Sequence, residues 1–241
     1  MPIFLTSKGL VLFAHVPRCG GSSVENYLHG RFGKLAFLDR DHQTHAEDRR
    51  WNRVSPQHVD QATLTRLMPT QFFVDAFAMV RHPVTRLESV YLHNLQVTGQ
   101  IPPTTGFSDW LADLPAQHDR DAAYLDNHAR PMVDLVPPQC RIFRLKDGFA
   151  AVERWLDDLT GTTWPRHIGR VHGRAQLLAK RGLTAVPRPV LTPDTLALIA
   201  DLYAADFEAC GYDAAVLPPQ ADDLAGPAGV PRARLAERRS D

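Results

Sequence analysis

Two runs of consecutive apolar residues constrain the fold of this 241-residue chain more than any other feature. The first, Leu10–Val16, has the length of a strand and is followed by glycines, serines and apolar residues at helical spacing. The second, Phe72–Val80, leads into Arg81 and then into another segment with helical spacing. Apolar runs of this length are typical of strands covered on both faces. Successive strand–turn–helix units therefore predict an α/β fold, with a central parallel sheet and helices on both faces.

The rest of the chain adds elements of the same kind. A third strand is predicted over 139–145, and helices are predicted over 56–68, 107–114, 149–159 and 193–203. Residues 40–54 are rich in polar side chains without periodicity and are predicted to form a loop. The segment 217–241 has almost no large apolar residues, so burial cannot offset its ordering entropy. We expect one domain over 1–216 and a disordered tail over 217–241.

The charge balance and the cysteines exclude several classes of protein. Lys plus Arg and Asp plus Glu are both 27, and a net charge of zero argues against a general nucleic-acid binder. The first apolar run ends at Pro17, well short of the roughly 20 residues that span a membrane. The three cysteines form no CxxC pair, so neither a disulfide framework nor a zinc ribbon is indicated. We expect a cytoplasmic protein with no transmembrane segment and no nucleic-acid partner.

The segment PRCGGSS, residues 17–23, joins the first strand to the first helix. Unpaired N–H groups at a helix start attract anions, and Arg18 adds a full positive charge. An ordinary glycine turn is the alternative interpretation. The segment is not a Walker loop, because Gly21 rather than lysine precedes Ser22. A P-loop kinase or ATPase is therefore disfavoured.

The same segment resembles the 5′-phosphosulfate loop of sulfotransferases that use 3′-phosphoadenosine 5′-phosphosulfate (PAPS). That loop commonly has the sequence P-K-x-G-[GT]-[ST]-[ST], and Arg18 stands where the family usually has lysine. The resemblance implies a P-loop-like three-layer fold with PAPS as co-substrate. It also implies a donor site formed by Arg18, Cys19, Gly20, Gly21, Ser22 and Ser23.

A second motif, RHPVTRLESVY over residues 81–91, is similar to the family's R-x-P-x-x-R-x-x-S-x-Y segment. The resemblance implies that Arg81 and Ser89 hold the donor's 3′-phosphate, while the other polar residues of the motif are expected to be surface or packing residues. Segments 126–131, 143–148 and 203–212 also look like parts of Golgi-type carbohydrate sulfotransferases and their bacterial relatives. The implied acceptor is a hydroxyl group of an oligosaccharide or glycoconjugate.

Sulfuryl transfer needs a base for the acceptor proton and positive charge near the bond that breaks. Arg18 is the expected source of charge, and no metal is required. His58 is the first candidate for the base, with rivals at His15, His42, His45 and His128. The alternative is a catalytically inactive nucleotide- or phosphate-binding module, which the arginine in place of lysine at position 18 favours.

Overall fold

A computed structural model describes residues 1–171 and 173–217 of the chain. Within this part of the chain, the strands are β1 (Ile3–Thr6), β2 (Gly9–Ala14), β3 (Phe73–Val80) and β4 (Arg141–Arg144). The α-helices are α1 (Gly21–Phe32), α2 (Gln61–Leu67), α3 (Pro83–His93), α4 (Phe107–Arg120), α5 (Ala150–Thr160), α6 (Arg174–Lys180), α7 (Pro193–Leu202) and α8 (Ala204–Cys210). The α/β class predicted from the sequence is confirmed.

The strands form one sheet in the order β1-β2-β3-β4. β2, β3 and β4 are parallel, and β1 pairs antiparallel with β2 as a hairpin. The sequence analysis missed β1, because four residues are too few to show a periodicity.

Alternate residues of the central strands enter two different hydrophobic clusters. Phe13 and Phe77 pack with residues of α1 and α5 on one face. Leu12 and Ala76 pack with Leu64 of α2 on the other face. This alternation explains why both strands are apolar throughout and confirms that helices cover both faces of the sheet.

Two predicted helices differ from the observed ones. The predicted helix 56–68 is divided: Pro56–His58 forms a 3₁₀ turn, and α2 begins after Asp60, whose carboxylate accepts from the Thr63 N–H at 2.8 Å. The cap by Asp60 therefore sets the helix start, not the proline. The helix predicted over 107–114 begins as expected but continues to Arg120, past Pro115.

The parallel pairing of β2 and β3 places the functional loops together. Both strands end at the same edge of the sheet, so the loop that carries Arg18 and the turn at Arg81 are neighbours. No helix among the described residues is both long enough and apolar enough to cross a bilayer. Apart from its first residue, the tail predicted over 217–241 lies outside the described residues.

Candidate active site

The two glycines between β2 and α1 are required by the protein's own packing. Gly20 has a φ of 84°, in the left-handed region that glycine enters without strain. Gly21 lies against the ring of His15, and a Cβ at this position would sit 2.0 Å from Nε2 of that ring. Backbone conformation and packing within the protein therefore explain both glycines without any ligand.

Arg18 and Arg81, which we call the arginine pair, meet where β2 and β3 end. Both side chains are partly buried, and Arg81 donates from Nη1 to the backbone oxygen of Arg18 at 3.4 Å. Arg18 donates from Nε to the Ser89 hydroxyl at 3.1 Å. Burial and the positive charge of Arg81 lower the pKa of Arg18 to about 10. Burial also lowers the pKa of Arg81.

Neither member of the arginine pair forms an ion pair with any residue that the structure describes. Partial burial of two like charges is unfavourable unless an anion compensates them. Both arginines remain protonated at neutral pH, because even a pKa of about 10 lies well above it. The electrostatics of this edge of the sheet therefore favour a ligand that carries negative charge.

The other residues of the loop contribute in different ways. The Cys19 side chain is fully buried, and burial raises the pKa of its thiol to about 11, so only its backbone can meet a ligand. Ser22 is partly exposed at the start of α1. The hydroxyl of Ser23 accepts from the Val171 N–H at 3.0 Å and keeps its own proton to donate. The loop thus places two serine hydroxyls within five positions of Arg18.

Arg86 connects this loop to the turn near residue 128. It is completely buried on α3 and donates to the backbone oxygens of Pro17, His128 and Arg130, at 3.3, 2.9 and 2.8 Å. Its Nη1 lies 3.9 Å from the carboxylate of Asp206. Arg86 is therefore a packing residue in the interior and not part of the helix surface.

His58 is hydrogen-bonded to a carboxylate far away in sequence. Its Nδ1 lies 2.7 Å from Oδ2 of Asp126, although 68 positions separate the two residues. A carboxylate only accepts hydrogen bonds, so the proton of the neutral imidazole is on Nδ1 and the lone pair is on Nε2. This is the orientation that a general base requires.

The Asp126 carboxylate is held firmly in place. Its oxygens accept from the N–H and the hydroxyl of Ser55, at 2.6 and 2.7 Å, and from the amide of Gln43 at 3.1 Å. Burial raises the pKa of Asp126, but attraction and hydrogen bonding by His58 outweigh it and hold the pKa well below its usual range. Asp126 is therefore ionised at neutral pH and orients the ring of His58.

The turn that carries Asp126 has an uncommon backbone. Leu125, Asp126 and Asn127 have φ values of 50°, 55° and 61°, all left-handed and none of them glycine. Each residue in such a conformation lowers the stability of the folded state by about 1–3 kcal/mol, and such residues are concentrated at functional sites. The Asn127 side chain donates to the backbone oxygen of His58 at 2.9 Å and helps to hold the turn.

Four imidazoles form a continuous row, which we call the histidine row: His15, His58, His128 and His93. Successive ring centroids are 5.0, 5.0 and 5.6 Å apart. At its end, Arg18 donates from Nη1 to Nδ1 of His93 at 3.3 Å. The row thus leads from the side of α1 to the arginine pair.

Burial keeps three members of the row uncharged. It lowers the pKa of His15, although the Glu25 carboxylate at 2.6 Å opposes this effect. Burial and the charge of Arg18 lower the pKa of His93 to about 3. Burial and repulsion from His58 and His93 hold the pKa of His128 well below its usual value. The base candidate therefore lies among neutral rings.

Comparison with protein families shows to which family the chain belongs. The family model described as "Sulfotransferase family" matches residues 1–213, nearly the whole of the described chain. The chain belongs to the sulfotransferase family. Searches of the curated proteins and of the solved structures found no match. As a sulfotransferase, the protein is a transferase of sulfuryl groups with a hydroxyl acceptor.

The sulfotransferase fold brings the two predicted motifs together. Arg18 and Ser89 are in contact although they are 71 positions apart, and Arg81 contacts the Arg18 backbone. Two rivals for the base have partners outside this contact. His42 is bonded to the Asn52 backbone oxygen at 2.9 Å, and His45 is exposed beside Asp39.

Sequence reasoning missed two side chains of the candidate site. Asp126 lies in a segment that resembles the family, but nothing in the sequence pairs it with His58. His93 lies two positions beyond the end of the second motif. Its position four residues after Ser89 places both on one side of α3, which is a signal that could have identified it.

Proposed function

We propose that this sulfotransferase transfers the sulfuryl group of PAPS to a carbohydrate hydroxyl. The observation that carries the proposal is the arginine pair, because two partly buried guanidinium groups without an ion-pair partner among the described residues fit a donor with two separate phosphate groups. In this proposal, Arg81 and Ser89 hold the 3′-phosphate, and the loop from Arg18 to Ser23 holds the 5′-phosphosulfate.

Each side chain has one task in the transfer. His58 accepts the acceptor's proton on Nε2 while Asp126 retains the hydrogen bond to Nδ1. The acceptor oxygen forms a bond to sulfur as the bond between sulfur and the donor's bridging oxygen breaks. Negative charge develops on that bridging oxygen, and Arg18 stabilises it by charge and hydrogen bonds.

Arg18 must move for these roles to be compatible. Its Nε now donates to Ser89, which the proposal assigns to the 3′-phosphate. We expect donor binding to replace this contact, because a phosphate oxygen accepts a stronger, charge-assisted hydrogen bond than a hydroxyl does. The acceptor class rests on the resemblance of segments 126–131, 143–148 and 203–212 to carbohydrate sulfotransferases.

The nucleotide part of the proposal can be tested by thermal unfolding. The product nucleotide, 3′-phosphoadenosine 5′-phosphate, should raise the melting temperature by mass action, and AMP should raise it much less. Arg81→Ala should remove most of the difference between the two nucleotides. Equal shifts from both nucleotides in the wild-type protein would contradict a 3′-phosphate site.

Transfer itself needs a second measurement. Conversion of PAPS to 3′-phosphoadenosine 5′-phosphate should depend on the addition of a mixture of oligosaccharide acceptors. A protein that binds the nucleotide but converts no PAPS with any hydroxyl acceptor would instead be the inactive binding module. Conversion with small alcohols or phenols but not with carbohydrates would overturn the acceptor class alone.

A further inference from the structure

His58, Asp126 and His128 form a compact group of metal-ligating side chains. Each can offer one ligand atom, and the three atoms lie within 4.8 Å of one another. Two imidazoles and one carboxylate are donors that suit Zn²⁺, and three protein ligands leave a coordination position open. His58 is buried, with 8% of its surface exposed, and Asp126 and His128 are partly buried.

We propose that this group is a Zn²⁺ site whose occupancy blocks the transferase. The proposed inhibition rests on the proposed function of His58, but the proposed binding does not. Zn²⁺ would replace the proton that His58 now shares with Asp126. That proton would move to Nε2 of the neutral ring, so no lone pair would remain for an acceptor hydroxyl.

The distances favour this position for the ion. Nδ1 of His58 and Oδ2 of Asp126 are 2.7 Å apart, close to the separation of about 3 Å between two ligands at zinc bond lengths. His128 contacts the Asn94 amide with Nδ1 at a long 3.4 Å, which leaves Nε2 to reach the ion. A side-chain movement of His128 on the order of 1 Å brings it into range.

The surroundings already hold the first ligands in position. Ser55 donates twice to the Asp126 carboxylate, and Gln43 donates once. Asn127 fixes the backbone oxygen of His58. Hydrogen bonds of this kind orient metal ligands and raise affinity by about 10–100-fold. The site therefore needs little reorganisation beyond His128.

The test is a titration of the full, tag-free chain with ZnCl₂, in which calorimetry measures the heat of binding. We expect one site, weakened at least about tenfold in His58→Gln and in His128→Gln, as expected for loss of a ligand. His45→Gln is the matched control, because His45 also lies against a carboxylate, Asp39 at 3.2 Å, but outside the group. Melting curves without metal show whether each variant is folded.

A spectroscopic and a kinetic measurement complete the test. Co²⁺ in place of Zn²⁺ should give visible absorption bands of a low-coordinate site, and both glutamine variants should lose them. Zn²⁺ should inhibit sulfuryl transfer, and a chelator should restore it. No Zn²⁺ binding, equal binding in all variants, or loss of binding in His45→Gln overturns the site. Zn²⁺ binding without inhibition overturns only the proposed inhibition. If the protein shows no transferase activity, calorimetry alone decides whether the Zn²⁺ site exists.

Discussion

The arginine pair and the histidine row are built from different kinds of sequence. The arginine pair comes from two short motifs that directly follow neighbouring parallel strands, so the sheet alone brings them together. The histidine row is assembled from irregular segments, and its key contact joins His58 to a residue 68 positions away. An anion site can therefore be proposed from local patterns, whereas the pairing of a candidate base with an orienting carboxylate depends on the tertiary fold.

Among substitutions in the arginine pair and the histidine row, we expect the largest effect on turnover at His58. His58→Ala should reduce turnover by about two to four orders of magnitude, which is the usual contribution of general-base catalysis, and should leave nucleotide affinity nearly unchanged. The measurement is steady-state PAPS turnover together with nucleotide binding by calorimetry. His29→Ala, at an exposed position on α1, is the control and should keep full turnover.

His58→Asn sharpens this test. Asparagine still forms hydrogen bonds but cannot accept a proton at neutral pH, so its turnover should be almost as low as that of the alanine variant. Normal turnover in either variant would exclude His58 as the base. His128 would then be the next residue to replace, because its ring lies 5.0 Å from that of His58.

The two arginines should themselves differ. Arg18→Ala should reduce turnover by about 10²–10³-fold, because it removes charge that meets the developing oxyanion. Arg81→Ala should weaken nucleotide binding by roughly 10–100-fold with little change in turnover, because its contact is the same in ground and transition states. Separate determinations of kcat and KM for PAPS check this. If both variants changed only KM, the division of roles would be wrong.

The difference between the two regions also explains what sequence reasoning achieved. The fold class could be predicted from the two apolar runs, because a strand that is buried on both faces is apolar at nearly every position. The anion-binding character proposed for residues 17–23 followed from glycines, hydroxyls and arginine in one short segment, and the proposed donor role followed from its resemblance to the family's loop. Asp126 could not be found in this way, because its position depends on three successive left-handed residues that no turn motif encodes. Arg86 has one of the two roles expected for it, packing, but the motif does not show which backbone oxygens it contacts.

A smaller effect tests the packing of the donor loop against the first member of the histidine row. Gly21→Ala should lower the free energy of unfolding by about 1–3 kcal/mol, because the new methyl group would overlap the ring of His15. Gly30→Ala, in the same helix, is the matched control. Apart from its chain neighbours and the backbone of its own helix, no atom of the described residues lies within 4 Å of a Cβ at position 30, so that change should stabilise the helix by about 0.5–1 kcal/mol. Urea unfolding measures both, and equal effects would contradict the close contact.

The smallest expected effect lies where the two regions meet, at His93. Its folded-state pKa of about 3 is below the usual imidazole value of about 6.5, so the unfolded chain binds more protons between these two pH values. The corresponding stability is complete above about pH 6.5 and falls as the pH decreases toward 3. Between pH 7 and pH 5.5, His93 should account for a loss of about 1 kcal/mol.

His93→Gln removes this titration but keeps an acceptor for Arg18, so its unfolding free energy should decrease less between pH 7 and pH 5.5 than that of the wild type. His29→Gln, at an exposed position, should decrease as much as the wild type. Arg18→Ala should raise the folded-state pKa of His93 in part, and so reduce the loss of stability below pH 5.5, because the charge of Arg18 is the second cause of the low pKa after burial. In the double variant, the Arg18 substitution should add nothing further. An equal loss of unfolding free energy in the wild type and His93→Gln would show that the folded protein does not lower the pKa of His93.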